Sequence, residues 1–105
     1  MYSLLIQIVR FEDDHQPGWV AGEFVDAQGK VHTLIDKIPV LSDEDLNGAS
    51  LYPRPGAVRI EVLSRSQDTH GRDVVCVTTS IPDGVESTEK VSEFCVFPAQ
   101  LSPNR

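Results

Sequence analysis

The sequence predicts an all-β fold, a small six-stranded antiparallel β-barrel, with a two-sheet β-sandwich as the alternative. Six segments show the alternating or β-branched pattern of strands, and Gly, Pro or Asp bounds each of them. No segment has the length of a helix that could cover a sheet, so the apolar faces must pack against one another. The 105 residues suit one domain, residues 1–105, and closure of thin sheets into a barrel protects their edges.

The predicted strands are residues 2–11, 19–25, 30–40, 57–66, 72–80 and 91–97. Alternation is clearest in the fourth, where Val58, Ile60 and Val62 fall on one face and charged residues on the other. In the second strand, Gly22 indicates a bulge or a close approach of a neighbouring backbone.

Two connections share the pattern Asp-x-x-Gly followed by a basic residue, at residues 26–30 and 68–72. An Asp carboxylate can accept hydrogen bonds from the amides of its own turn, and Gly adopts the left-handed conformation that closes such a turn. The pattern therefore predicts two hairpins, which join the second strand to the third and the fourth to the fifth.

The segment between the third and fourth strands contains two further signals. Ser42 followed by an acidic residue three positions later resembles a capping box and predicts one short helical turn near residues 43–47. The prolines of residues 52–56 then prevent a helix from continuing and favour an extended, turning entry into the fourth strand.

Charge and hydropathy exclude several classes of partner. Nine Lys and Arg against 16 Asp and Glu give a net charge of −7, which opposes contact with nucleic acid or an anionic membrane. No apolar run approaches the roughly 18 residues of a membrane span. The amino-terminal segment lacks the features of a signal peptide. We therefore expect a cytoplasmic protein whose acidic surface provides solubility or attracts a basic protein partner.

Cys76 and Cys95 lie in apolar segments, and we expect both to be inert, buried thiols in a reducing cytosol. If the fifth and sixth strands form a hairpin around residues 84–86, the two cysteines lie almost opposite each other. That geometry would allow a disulfide, although the cytoplasmic expectation disfavours one.

Residues that could bind metal or catalyse a reaction are present but lack the required spacing. The run Glu12–His15 offers oxygen ligands for calcium or magnesium without the spacing of a calcium loop. The three histidines match no zinc motif, and His32 and His70 are expected at the surface or a sheet edge. Ser87 lacks the Gly-x-Ser-x-Gly context of a nucleophile, and residues 82–89 are interpreted as a solvated hairpin tip. We predict no catalytic residue, metal site or cofactor.

Four residues are the candidates for binding: Trp19, Tyr52, Asp83 and Glu86. Trp19 follows a Pro-Gly pair at a strand start, where it either anchors the core or borders a binding surface. Tyr52 stands beside two prolines and could add an aromatic wall. Asp83 and Glu86 belong to the long polar loop, the kind of segment that often carries function.

Three stretches are similar to short bacterial proteins of uncharacterised function: Gly22 to Val40, the Tyr52-Pro53-x-Pro55-Gly56 entry, and Gly84 to Thr88. The resemblance implies a bacterial origin and brings no activity, cofactor or site residue with it.

The leading hypothesis is a non-enzymatic binding module whose loops and aromatic residues contact a protein partner. The first alternative is an acidic inhibitor or immunity-type protein that blocks a basic partner. The second alternative is a small hydrolase or metal enzyme that uses His15 or His32 with Asp13 and Asp14. The absence of recognised motifs favours a protein that is not an enzyme.

Overall fold

A computed structural model describes residues 2–103, and over this range the fold is all-β, as predicted. The strands are β1 (Tyr2–Asp13), β2 (Trp19–Val25), β3 (Val31–Lys37), β4 (Arg54–Gln67), β5 (Asp73–Thr78), β6 (Glu93–Val96) and β7 (Leu101–Pro103). A four-residue helix, α1 (Ile38–Leu41), follows β3, and a 3₁₀ turn at Pro98–Gln100 precedes β7.

The strands form one antiparallel sheet in the order β3-β2-β1-β4-β5-β6, which curls into a half-barrel. Beyond this path, β7 pairs with the start of β1. Backbone hydrogen bonds connect the two outer strands with segments from the other end of the sheet. The amide of Thr88 donates to the carbonyl of Thr33 over 2.9 Å, and the amide of Ala27 donates to the carbonyl of Cys95 over 2.8 Å. A single curled sheet is closer to the predicted barrel than to a sandwich.

Alternation along the strands builds the core, as the sequence predicts. Val58 and Ile60 are fully buried, whereas Arg59 and Glu61 between and after them are exposed. Gly22 lies opposite Ile8, next to a register shift in the β1–β2 ladder. The register shift agrees with the predicted bulge. A Cβ atom at Gly22 would lie 2.6 Å from the Cδ1 atom of Ile6, so the close neighbour is a side chain and not a backbone.

Both predicted Asp-x-x-Gly hairpins are confirmed, with β2 paired to β3 and β4 paired to β5. In each turn the Asp amide donates to the carbonyl of the basic residue four positions later. The turn glycines, Gly29 and Gly71, have φ angles of +87° and +75°. This left-handed conformation is the one that glycine adopts at little cost.

The helical turn predicted near residues 43–47 is wrong, because the helix forms earlier, at Ile38–Leu41. Pro39 lies in its first turn, where the fixed φ angle of proline favours a helix and no amide is needed. Ser42 follows the helix in an extended conformation, and its hydroxyl accepts the amide of Glu44. The side chain of Glu44 pairs with Arg54 of β4.

Within residues 2–103, no helix has both the length and the apolar character needed to cross a membrane.

Candidate functional site

One surface groove has a volume of about 750 Å³ and runs beside the first half of β4. We call it the β4 groove. Its floor includes Leu5 of β1 and Ala57 of β4, and the segment from Pro39 to Glu44 forms one wall. Asp83 and Arg59 lie at the other side. The charged side chains lining the groove are three carboxylates and one guanidinium, namely Asp43, Glu44, Asp83 and Arg59.

Contacts with β4 hold both walls of the groove. Arg54 forms an ion pair with Glu44, and this hydrogen-bonded guanidinium lowers the pKa of the Glu44 carboxyl. Arg59 binds both oxygens of Asp83, with distances of 3.0 Å from Nε and 2.6 Å from an Nη atom. A two-pronged guanidinium–carboxylate pair fixes orientation better than a single contact does. The two ion pairs thus connect Glu44 and Asp83, on the two walls of the groove, to the same strand.

The register of β4 shows where its backbone groups point. β1 and β4 pair from Arg54 to Ile60, and in an antiparallel ladder alternate residues direct both polar groups either toward the partner or away from it. Pro55 has no N–H, so it fits the set that points away from β1. Tyr2 of β1 supports this choice. It lies between Ile60 and Pro103, and its backbone N–H and C=O point toward Ile60 and away from Pro103. Pro103 then needs no N–H either.

The same alternation directs the backbone groups of Pro55, Ala57 and Arg59 away from β1. Glu61 belongs to this set and is the first residue that pairs with β5, opposite Thr78. Beyond Thr78 the chain leaves β5 for a turn. The ladder with β5 therefore ends before Arg59, and we call Pro55–Arg59 the free β4 edge. Ala57 and Arg59 line the β4 groove along this edge.

The four predicted binding residues do not lie together in the structure. Asp83 lines the β4 groove, whereas Glu86 is exposed outside it. Trp19 is half-buried and lines the second, smaller groove with Glu12, Asp13 and Ile35. The ammonium group of Lys37 lies 5.7 Å from the Trp19 ring centroid, so the tryptophan borders a surface rather than anchoring the core.

Tyr52 packs against the hydrophobic core, and its hydroxyl donates to the carbonyl of Asn47 over 2.8 Å. The ring thus fixes the segment that leads into β4. Tyr52 therefore packs against the core, whereas Trp19 lies at the surface.

His32 lies on β3, an outer strand of the sheet as expected, but its side chain is buried, so a surface position is wrong. His70 is exposed in its turn, as predicted. The inward-facing position on β3 places the ring of His32, 6% exposed, between Phe24 and Phe94 at centroid distances of 5.3 and 4.7 Å. Its Nε2 atom lies 2.8 Å from Oδ2 of Asp26. Among residues 2–103, Nδ1 of His32 is a buried atom without a hydrogen-bond partner.

Asp26 connects this buried histidine to the β2–β3 turn. Burial alone raises the pKa of the Asp26 carboxyl, but the hydrogen bonds from His32 and from the amides of Lys30 and Gln28 outweigh burial and lower it. An ionised carboxylate only accepts, so Nε2 of His32 carries the hydrogen in this contact. His32 lines neither groove.

The loop predicted to be a solvated tip contains a third turn of the Asp-x-x-Gly type, in which Ser87 replaces the aspartate. Its hydroxyl accepts the amides of Glu89 and Val91, over 3.2 Å each, and its own amide donates to the carbonyl of Val91. Ser87 is buried, and Lys90 occupies the glycine position with a φ angle of +66°. The expectation of a fully solvated loop is wrong, because Val85 is also buried.

Cys76 and Cys95 lie opposite each other in the β5–β6 ladder, as predicted, but they form a disulfide. The expectation of buried thiols is therefore wrong: Cys76 is half-buried and Cys95 is exposed. The alternation of apolar residues around each cysteine places neighbouring valines and Phe94 inside and turns the cysteines outward. Disulfides are typical of oxidising compartments, which runs against the cytoplasmic expectation.

The acidic run at the end of β1 brings Asp13, Asp14 and His15 together, with one ligand atom of each within 4.8 Å of the others. All three are exposed, and His15 contacts Asp13 through both its amide and its ring. This contact lowers the pKa of Asp13 and raises that of His15.

Neither protein-family models, nor curated proteins, nor solved structures provide a match to this chain.

Proposed function

We propose that this chain is a non-enzymatic binding module that contacts a basic protein partner through the β4 groove. The observation that carries the proposal is the exposed carboxylate of Asp43 in this groove of about 750 Å³, since the other two carboxylates of the lining, Glu44 and Asp83, are already paired with Arg54 and Arg59. Asp43 is exposed and takes part in none of the ion pairs among residues 2–103. A Lys or Arg of the partner can therefore bind it without displacing a contact.

The charge of the whole chain also favours a basic protein as the partner. The net charge is −7, and five of the eight Lys and Arg residues in the described part of the chain are already paired with carboxylates. The remaining field is negative, which accelerates encounter with basic proteins and opposes nucleic acid.

Binding is favoured over catalysis because the candidate reactive groups are engaged elsewhere. The hydroxyl of Ser87 accepts two backbone amides, and Cys76 and Cys95 are bonded to each other. His32 is buried between aromatic rings, away from both grooves.

The three groove carboxylates also favour a narrower alternative, an acidic inhibitor or immunity-type protein. Such a protein would place Asp43, Glu44 and Asp83 over the basic site of its partner. The two functions differ in the effect on the partner, since only an inhibitor lowers the activity of the protein it binds.

The proposal is tested by affinity capture with the purified chain at about 50 mM and about 500 mM salt, a range over which the Debye length falls severalfold. We expect a partner that binds at low salt and is released at high salt. The variant Asp43→Lys should reduce its recovery by roughly tenfold. Asp73→Lys makes the same charge change at the far end of the β4–β5 hairpin and should reduce recovery much less. Equal loss in the two variants, or no salt-sensitive partner, would contradict the proposal.

A further inference from the structure

We infer that the β4 groove binds an extended basic peptide segment of the partner, which adds to the free β4 edge as an additional strand. The inference rests on the proposed function and specifies the shape and chemistry of the partner. Unpaired backbone groups along a sheet edge form a template for such an addition.

The free β4 edge presents backbone hydrogen-bonding groups of three residues on one side. Ala57 and Arg59 direct an N–H and a C=O away from β1, and Pro55 directs only a C=O. The five residues Pro55–Arg59 extend over roughly 17 Å at about 3.3 Å per residue. A bound strand of about five residues would therefore pair with this edge, and Pro55 would end the ladder because it donates nothing.

The walls of the groove define the side chains of the bound segment. Glu44, next to Asp43, pairs with Arg54, and Asp83 pairs with Arg59. Arg54 and Arg59 are separated by an odd number of positions, so their side chains point to opposite faces of β4. Side chains of a strand alternate between its two faces, so every second residue of the segment points to the same wall. Lys or Arg at the alternate positions that face the Asp43 wall would place positive charge beside Asp43, the groove carboxylate without an ion pair among residues 2–103. An acidic segment would be repelled by the net charge of −7.

A second copy of the chain does not suit this edge. Pairing of two free β4 edges around a two-fold axis would place Asp43 of each copy, which has no ion pair among residues 2–103, in one interface without a cation to bind it. Each copy also carries a net charge of −7, which adds repulsion over the whole surface. A basic segment of a different protein has the complementary charge.

The test uses a displayed library of random nine-residue peptides, selected on the purified chain, and the most enriched peptide is then synthesised as the probe. We expect enrichment of Lys and Arg at alternate positions. N-methylation of single backbone amides of the probe should lower its affinity by about fivefold or more at alternate positions and little at those between. An equal effect at every position, or enrichment of acidic peptides, would overturn the inference.

Two variants of the chain provide the matched test. Ala57→Pro removes the amide that faces the groove and leaves the β1 ladder intact, since Ala57 belongs to the same alternating set as Pro55. Ala57→Val retains the amide with a side chain that favours strands. We expect loss of probe binding in the first variant and retention in the second, with the same denaturation midpoint for both. If Ala57→Pro fails to fold, binding of the N-methylated probes to the wild-type chain tests strand addition on its own.

Failure of this inference differs from failure of the proposed function. If the salt-sensitive partner is captured and Asp43→Lys weakens it, but Ala57→Pro and probe N-methylation have no effect, the groove binds a basic partner without strand addition. If Asp43→Lys has no effect on any partner, the proposed function fails.

Discussion

Lys90 occupies in its turn the backbone position that Gly71 occupies in the β4–β5 hairpin. The φ angles are +66° and +75°, and in both turns the amide of this residue donates to the carbonyl three positions earlier, in Ser87 and Asp68. A side chain at this conformation costs roughly 1 kcal/mol compared with glycine.

Lys90→Gly should therefore raise the free energy of unfolding by about 0.5–1 kcal/mol, because it relieves the left-handed strain of a non-glycine residue. Urea denaturation monitored by Trp19 fluorescence measures the change. Lys90→Ala removes the same long side chain and keeps the Cβ atom, so it should give no such gain. A stabilisation of equal size in both variants would assign the effect to charge instead of backbone conformation.

Asp26→Asn should destabilise the chain by about 1–3 kcal/mol, because an amide nitrogen would face the Nε2–H of buried His32. Asp68→Asn is the matched control. Asp68 accepts the amides of His70 and Arg72 as Asp26 accepts those of its own turn, but its second oxygen binds the exposed side chain of Arg72. We expect a loss below about 1 kcal/mol there. Equal losses in chemical denaturation would show that the histidine contact contributes nothing.

Acidification should reduce stability through the same carboxyl group. The pKa of Asp26 is lowered in the folded state, so its stabilising contribution is complete above the unfolded value near 3.8 and is lost as pH falls through the folded value. The difference in unfolding free energy between the wild-type chain and Asp26→Asn should therefore shrink as pH is lowered from about 6 to about 2. A difference that stays constant over this range in urea titrations would contradict the contribution of the ionised carboxylate.

Reduction of the Cys76–Cys95 disulfide should lower the unfolding free energy by about 3 kcal/mol, the value expected for closing a loop with a sequence separation of 19. Denaturation with and without dithiothreitol measures this loss. The double variant Cys76→Ser and Cys95→Ser should be insensitive to the reductant. If the wild-type chain is insensitive as well, the two residues are thiols, as the sequence alone suggested.

The strands and two hairpins could be predicted from the sequence because their signals are local. Alternation from Val58 to Val62 and the Asp-x-x-Gly turns depend on residues a few positions apart. The third turn was missed because Ser87 and Lys90 replace the residues that mark this conformation. The geometry of this third turn depends on packing next to β3, where the amide of Thr88 donates to the carbonyl of Thr33.

The groove and the buried histidine could not be predicted, because both depend on contacts between distant segments. Arg59 reaches Asp83 across 24 positions, and His32 is enclosed by Phe94 of β6. The placement of the helix was missed for a related reason, since the amide of Ile38 at its start donates to the carbonyl of Gly18, which precedes β2. Of the four predicted binding residues, only Asp83 lies in the β4 groove.

Hydrogen exchange of individual backbone amides, followed by NMR, tests the free β4 edge most directly. Val58 and Ile60 direct their amides toward β1 and should exchange slowly, whereas those of Ala57 and Arg59 should exchange much faster. Addition of the basic peptide probe should then slow exchange at Ala57 and Arg59 selectively. Slow exchange at Ala57 and Arg59 in the free chain, equal to that of Val58 and Ile60, would show that this edge is already paired and would contradict the proposed binding site.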